Sequence, residues 1–355
     1  MTQMVFRADA SVALGSGHVM RCLALANVLQ RLAVTCHFIC REQTGHLIEL
    51  VRQHGHTVHG LPAADSVAEA NDWQADCERV GPIVRQLHPD WLIVDHYQLG
   101  QEWENRIRPS VGRLLAIDDL GRMHCCDLLL DQNVANPVHA RYQASSGAGA
   151  ELLLGPRFAL LRPEFAHLRP HALRRRDGAL RRLLVTMGGS DPVDETSKVL
   201  NGLQQVWGRD WCVDVVVGST NPNRKSVEAA CARLPAVQMH VDTARMAELM
   251  MRADCAVGAG GSTTWERCCL GLPALVTVLS SDQVTIAESL AAMGAHMIIG
   301  CSTNVRSEHY ASALGQLTAE RLQAMAAAAA GICDGLGAER VAQSLQLRGS
   351  ICAKS

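Results

Sequence analysis

Along the first third of the chain, short apolar runs alternate with segments whose apolar positions recur three and four residues apart. Strand-like runs lie at Met4–Arg7, Thr35–Arg41, Trp91–Asp95 and Arg113–Asp118. Between the first two, Val19, Cys22, Leu23, Ala26 and Leu29 recur at helical spacing and predict a helix over 19–31. Trp91–Val94 is apolar without interruption, as suits a strand buried on both faces. Such alternation predicts a parallel sheet wrapped by helices. Between Asn133 and Arg182 the pattern breaks into Pro, Gly, Ser and Arg (Pro137, Ser145-Ser146-Gly147, Pro156, Pro163, Pro170), which reads as a crossing between domains. It restarts with Arg182–Met187, after which Gly188-Gly189 and Ser190-Asp191-Pro192 read as a loop opening a helix. Further strands are expected at Cys212–Val217, Val237–His240, Cys255–Val257 and Ala274–Leu279, and the alanine run at 326–330 favours helix. The fold class is therefore α/β: two Rossmann-like domains facing a cleft, 1–160 and 161–355, with the terminal helices free to return to the first.

Composition narrows the function. A length of 355 residues with 48% apolar content is ample for two cores. A net charge of −2 excludes the global basic field that holds nucleic acid, and 4% aromatic residues argue against base-stacking platforms. The local cluster Arg174, Arg175, Arg176, Arg181 and Arg182 reads as a solvated linker ahead of a strand. No apolar run approaches the roughly 18 residues of a membrane span, and Val5 and Phe6 already belong to the first strand, so a cytoplasmic location is expected. The 14 cysteines follow no metal spacing and read as small core residues in a reducing compartment.

Phe6–Arg21, FRADASVALGSGHVMR, joins a short strand to a glycine-bearing loop and a histidine at the start of a helix. Gly15 and Gly17 allow a tight turn close to a ligand, and the helix directs its free N–H groups at an anion. His18 is the one side chain there that takes up a proton near neutral pH. A plain strand-to-helix turn uses the same residues, so the loop alone leaves both readings open. The second motif, Gly258–Glu266, again follows a strand and enters a helix. Gly260 and Gly261 permit close approach, Ser262 and Thr263 offer caps or hydroxyl donors, and Glu266 suits either two vicinal ribose hydroxyls or the helix dipole. Asp118 and Asp119 are adjacent on a strand and point to opposite faces, which makes joint metal ligation awkward. Neither glycine loop has acidic residues at a ligand spacing beside it, so no metal or cofactor is expected.

The glycine loop ending in His18, Asp95-His96-Tyr97, Ile117-Asp118-Asp119, Gly155–Phe165, Met187–Asp191 and Gly258–Pro273 occur in that order. Together, and up to Asp334–Val341, they resemble the nucleotide-sugar hydrolases of pseudaminic acid biosynthesis, which act on UDP-2,4-diacetamido-2,4,6-trideoxy-beta-L-altropyranose. The resemblance covers nearly the whole chain. It implies the two-domain GT-B fold shared with the peptidoglycan glycosyltransferases that add N-acetylglucosamine. It implies inverting, metal-independent cleavage of the bond between the anomeric carbon and the diphosphate oxygen, releasing UDP and the free sugar. By the same resemblance His18 is the base that activates water, Tyr97 lines the sugar pocket and Asp95 orients a catalytic group. Asp95 also suits a cap on the next turn, whether it or Asp9 reaches His18 stays open, and His96 reads as a packed residue. Arg7, Asp9, Gly15, Gly17, Gly188, Gly189, Ser190, Gly260, Gly261, Ser262, Thr263 and Glu266 are the expected substrate-binding residues. The partner is then a small UDP-sugar, with no nucleic acid and no membrane span, and the chain acts as a monomer. A GT-B glycosyltransferase is the enzymatic rival, and a nucleotide-sugar binding protein without turnover the other; His18 counts against the latter.

Overall fold

The computed structural model describes residues 2–134, 142, 149–207 and 211–352; of the linker positions named above, Pro137 and Ser145–Gly147 lie outside these. The chain divides into one unit of Met1–Arg162 with Leu336–Ser355, and a second of Pro163–Gly335. The C-terminal helix, in the second half by sequence, thus belongs to the first unit.

The first unit is a seven-stranded sheet of β1 (Gln3–Ala8), β2 (Thr35–Arg41), β3 (Thr57–Leu61), β4 (Trp91–Asp95), β5 (Arg113–Ile117), β6 (Leu128–Asp131) and β7 (Glu151–Leu154). Its order is β3-β2-β1-β4-β5-β6-β7, and every pairing is parallel. All five residues of β4 are buried, in keeping with its unbroken apolar run. Phe6 of β1 stacks on Phe38 of β2 at 4.8 Å between ring centroids. Helix α1 (Gly17–Arg31) covers one face with Val19, Cys22, Leu23, Ala26 and Leu29. The helix Gly337–Cys352 joins the same core through Ala338, Val341, Ala342 and Leu345, a helical stripe. Trp91 donates its indole N–H to Leu345 O at 3.2 Å, so the largest aromatic of β4 is buried without an orphaned donor.

The second unit holds β8 (Arg182–Thr186), β9 (Cys212–Val217), β10 (Val237–Val241), β11 (Cys255–Ala259), β12 (Ala274–Val278) and β13 (His296–Cys301), ordered β10-β9-β8-β11-β12-β13 and again parallel. Two expectations for the linker are corrected. Pro163–Arg174 is a helix, begun by Pro163 where a missing N–H costs nothing and carrying Pro170 inside it. Arg176 is not a solvated linker residue: it donates to the carbonyls of Ala253, Met250 and Leu270, closing the ends of two neighbouring segments.

In both sheets the chain winds outward in one direction from the first strand, then returns and winds in the other. The strand order reverses between β1 and β4 in the first unit and between β8 and β11 in the second. At such a point the loops leaving the two strands diverge and open a crevice at their carboxyl ends. His18 follows β1 and Asp95 ends β4; Gly188-Gly189 follow β8 and Gly258–Glu266 leave β11. Both motifs therefore stand at the equivalent place of their own sheet.

Candidate active site

Beyond β1 the chain folds back on itself, with Ser11 and Gly15 exchanging backbone hydrogen bonds of 3.3 and 2.8 Å. Gly15 has φ +76, a conformation that other residues rarely adopt, and it brings the chain directly into α1. Ser16, before the helix, makes no side-chain cap, so the first-turn N–H groups of α1 are not satisfied in that way. His18 is the second residue of the helix and is 7% exposed.

The imidazole Nδ1 of His18 lies 2.6 Å from Asp95 Oδ1, and Asp95 is fully buried. Arg21, one turn along α1, grips the same carboxylate with both ends: Nε to Oδ2 at 2.6 Å and Nη2 to Oδ1 at 2.7 Å. Burial pushes the Asp95 pKa up, but the charges of Arg21 and His18 outweigh it and hold the carboxyl well below its usual range. An ionised carboxylate only accepts, so Nδ1 carries the proton and the neutral imidazole keeps its lone pair on Nε2. No hydrogen bond engages Nε2 among the described residues. Tyr97 packs edge-on against the ring, with centroids 4.6 Å apart and planes at 87°. Arg21 was missed by the sequence reading; its spacing of three from His18 on one helix face was the signal.

Asp9 does not reach His18. Its two oxygens receive Arg7 at 2.6 and 2.9 Å, and Oδ1 also accepts from the backbone of Arg41 at 2.7 Å. Burial raises the Asp9 pKa, and the Arg7 charge more than reverses this, leaving it well below the carboxylate range. Arg7 departs from the expectation of a substrate-binding residue. It is wholly buried, and each guanidinium nitrogen is already bound to Asp9, Asp76 or Ile39 O. Its chemistry is internal: it fixes Asp9 at the end of β1. His96 is packed beside it, Nε2 at 3.3 Å from Asp9 Oδ2.

Asp118 and Asp119 are also committed. Asp118 accepts from the backbone of Leu120, Gly121 and Arg122 and from Arg122 Nε at 2.7 Å. Asp119 Oδ2 lies 3.4 Å from Arg21 Nη1. Among the described residues no three His, Cys, Asp or Glu side chains are grouped to hold a metal ion. Deep beside Asp118 lies His124, Nδ1 at 2.6 Å from Glu104 Oε1 and Nε2 at 3.6 Å from Asp118 Oδ1. Burial lowers its pKa, but the neighbouring carboxylates of Asp118 and Glu104 raise it to about 9.

In the second unit Gly188 has φ +90 and turns the chain sharply after β8. The helix begins at Glu195 rather than at Pro192. Asp191 is buried, and its oxygens accept from Glu195 N and Thr196 N at 2.9 Å each. The start of this helix is thus occupied by the protein's own carboxylate, which answers the unpaired N–H groups and the dipole. At the other motif Gly260 donates its N–H to Gln283 Oε1 at 3.1 Å, and Ser262 makes no side-chain cap. The fully buried Arg267 reaches Thr263 Oγ1 at 3.3 Å, Thr264 Oγ1 at 2.9 Å and Ala259 O at 2.9 Å, tying the loop to the helix Thr263–Cys269. Glu266 is half-buried on the first turn of that helix.

No family model matches the chain. Over 127 residues, 36% of this chain, it is 35% identical to the spore coat polysaccharide biosynthesis protein SpsG of Bacillus subtilis, and the match spans 38% of that protein. Over 249 residues, 70% of this chain and 81% of the relative, it is 24% identical to the UDP-2,4-diacetamido-2,4,6-trideoxy-beta-L-altropyranose hydrolase of Campylobacter jejuni. Among solved structures, MurG of Acinetobacter baumannii superposes with a TM-score of 0.71 at 16% identity, covering 98% of this chain and 99% of that one. S. aureus MnaA, solved with UDP, gives 0.70 at 10% identity, covering 99% and 97%. The fold is the α/β, two-domain Rossmann-like arrangement of the GT-B glycosyltransferases. No helix of the described residues is long and apolar enough to cross a membrane.

Proposed function

We propose that the chain hydrolyses a UDP-linked 2,4-diacetamido-2,4,6-trideoxy sugar at the anomeric carbon, with inversion, releasing UDP and the free sugar in pseudaminic acid biosynthesis. The observation that carries this reading is the His18–Asp95–Arg21 chain, with the Nδ1 contact at 2.6 Å and Asp95 held by two nitrogens of Arg21. His18 Nε2 takes a proton from water as the water oxygen bonds to the anomeric carbon. The bond to the diphosphate oxygen breaks, and its electron pair leaves with UDP. Asp95 fixes the tautomer and favours the imidazolium that forms, as in other triads where a carboxylate orients a histidine base. UDP is a weakly basic leaving group, so charge stabilisation serves it better than a general acid. The backbone around Gly188, Gly189 and Gly261 to Thr263 suits that task, and Glu266 suits the ribose hydroxyls. The 24% identity to the Campylobacter hydrolase over 81% of its length supports the same substrate class.

One observation favours a second reading: the likeness to MurG extends over 98% of the chain. In a glycosyltransferase the same His18 arrangement deprotonates an acceptor hydroxyl in place of water. Incubating the protein with the UDP-sugar alone in isotopically labelled water, and following the anomeric NMR signals, separates the two. Release of free sugar of inverted configuration carrying solvent oxygen on its anomeric carbon supports the hydrolase; an intact UDP-sugar until an acceptor is added overturns it.

A further inference from the structure

The first unit contains a cavity of about 560 Å³ where the loops after β1, β2, β3 and β4 meet, lined among others by Asp9, Arg41, Ala63, Ala64, Ala70 and His96. Its volume is that of a small-molecule site. Arg41 is the unusual member. It is 2% exposed, and its Nη2 donates to Asp76 Oδ2 at 3.0 Å. Its Nε stands 3.9 Å from Asp9 Oδ2, outside hydrogen-bond reach, and neither Nε nor Nη1 has a hydrogen-bond partner among the described residues. Buried donors are nearly always satisfied, so two unmet ones on a residue lining a cavity point to an acceptor supplied by a ligand.

The charges around the cavity decide what kind of acceptor. Arg7 and Arg41 are balanced by Asp9 and Asp76 in one buried network. Burial holds His96 toward its neutral form, although Asp9 opposes this. A carboxylate or phosphate entering here adds an uncompensated buried charge, whereas a neutral carbonyl adds none. The alanines lining the same cavity are small and apolar, a match for methyl groups.

Building on the UDP-sugar reading above, we propose that Arg41 is a specificity-determining residue that donates to an acetamido carbonyl of the sugar, with the acetyl methyl against Ala63, Ala64 and Ala70. Calorimetry tests this with UDP and with UDP-linked 2,4-diamino-2,4,6-trideoxyhexoses carrying both acetyl groups, either one, or none. In the wild type, removing the recognised acetyl weakens binding about ten- to a hundred-fold, as for a hydrogen bond from a charged donor. In Arg41→Met the same removal changes affinity about threefold or less, while UDP alone binds both proteins equally. Arg41→Lys, which keeps the charge beside Asp76 but loses the forked donors, also loses acetyl discrimination and serves if Arg41→Met does not fold. Equal binding of all four sugars by the wild type overturns the proposal, as does an equal loss for all of them in the variants. The hydrolase reading fails separately: acetyl-dependent binding with no release of free sugar sinks the hydrolase and leaves Arg41 its role.

Discussion

The first unit holds two histidine–carboxylate pairs of the same length, and they are built for opposite ends. His18 Nδ1 meets Asp95 at 2.6 Å, and His124 Nδ1 meets Glu104 at 2.6 Å; both carboxylates are fully buried. The difference lies at the other nitrogen. His124 Nε2 faces a second carboxylate, Asp118, at 3.6 Å, and two acids around one ring raise its pKa to about 9. At His18 the second neighbour of the carboxylate is a cation, Arg21, and no second carboxylate pairs with the ring among the described residues. The two acids favour the cationic form of His124, while His18 is the ring proposed as the base. A short contact to a carboxylate therefore does not identify a catalytic histidine; the surroundings of the distal nitrogen do.

The sharpest test of this contrast is to remove each ring. His18→Ala lowers turnover of the UDP-sugar by about 10²- to 10⁴-fold and leaves UDP affinity and melting temperature close to the wild type. A hydrolysis assay beside calorimetry with UDP measures both, and full turnover in the variant ends the assignment. Asp95→Asn comes next, with a loss of about 10²-fold, because the amide no longer enforces the tautomer. A variant with full turnover reduces Asp95 to a structural role. A third variant, outside both pairs, separates binding from chemistry. Glu266→Ala weakens UDP about ten- to a hundred-fold by calorimetry, with kcat at saturation little changed. Unchanged UDP affinity assigns that carboxylate to the helix dipole.

His124→Gln is expected to act on stability and on its pH dependence. The folded pKa of about 9 lies above the ordinary 6.5, so the bound proton stabilises the fold fully below pH 6.5 and progressively less up to about pH 9. The gain is on the order of 1–3 kcal/mol. Urea midpoints of the wild type should fall across that window, and those of His124→Gln should be flatter there. A wild type as stable at pH 9 as at pH 6 removes the charged-ring assignment.

The sequence pattern read the interior of both sheets well and the margins less evenly, since the edge strand β10 was legible at Val237–His240 while the other edges were not. β1, β2, β4 and β5 in the first unit, and β8, β9, β11 and β12 in the second, are buried strands with nearly continuous apolar runs, and each was legible. Of the strands that escaped, β3, β7 and β13 are sheet edges, partly exposed and mixed in polarity, and β6 is only four residues long. The glycine loop pointed to His18, but nothing local ties Asp95, 77 positions away, to it. The false helix start at Pro192 has a similar origin. A capping residue followed by proline suggests an N-terminus, yet the Asp191 side chain reaches four and five residues ahead to cap Glu195 and Thr196. Arg7 and Asp9 are alike on the page and part company in space. Both are buried, but Asp9 lines a cavity while Arg7 spends every donor inside the protein.

The smallest expected effect is none at all, and it guards the contrast between the two pairs. If Asp118 or Asp119 served a divalent cation at the diphosphate, the His124 cluster would be catalytic support and the distinction drawn above would dissolve. Their present commitments argue otherwise. Asp118 accepts three backbone N–H groups and Arg122, and Asp119 approaches the same Arg21 that holds Asp95, so recruiting either to a metal breaks bonds that shape the loop after β5 or loosen the base. Under the proposed function, backbone N–H groups around the second-unit glycines take the place of a cation at the diphosphate. Turnover is therefore expected to be unchanged after exhaustive chelation and after adding back magnesium or manganese. Loss of activity on chelation with recovery on metal addition returns Asp118, Asp119 and Asp95 to consideration as ligands and makes the His124 pair part of the reaction's machinery.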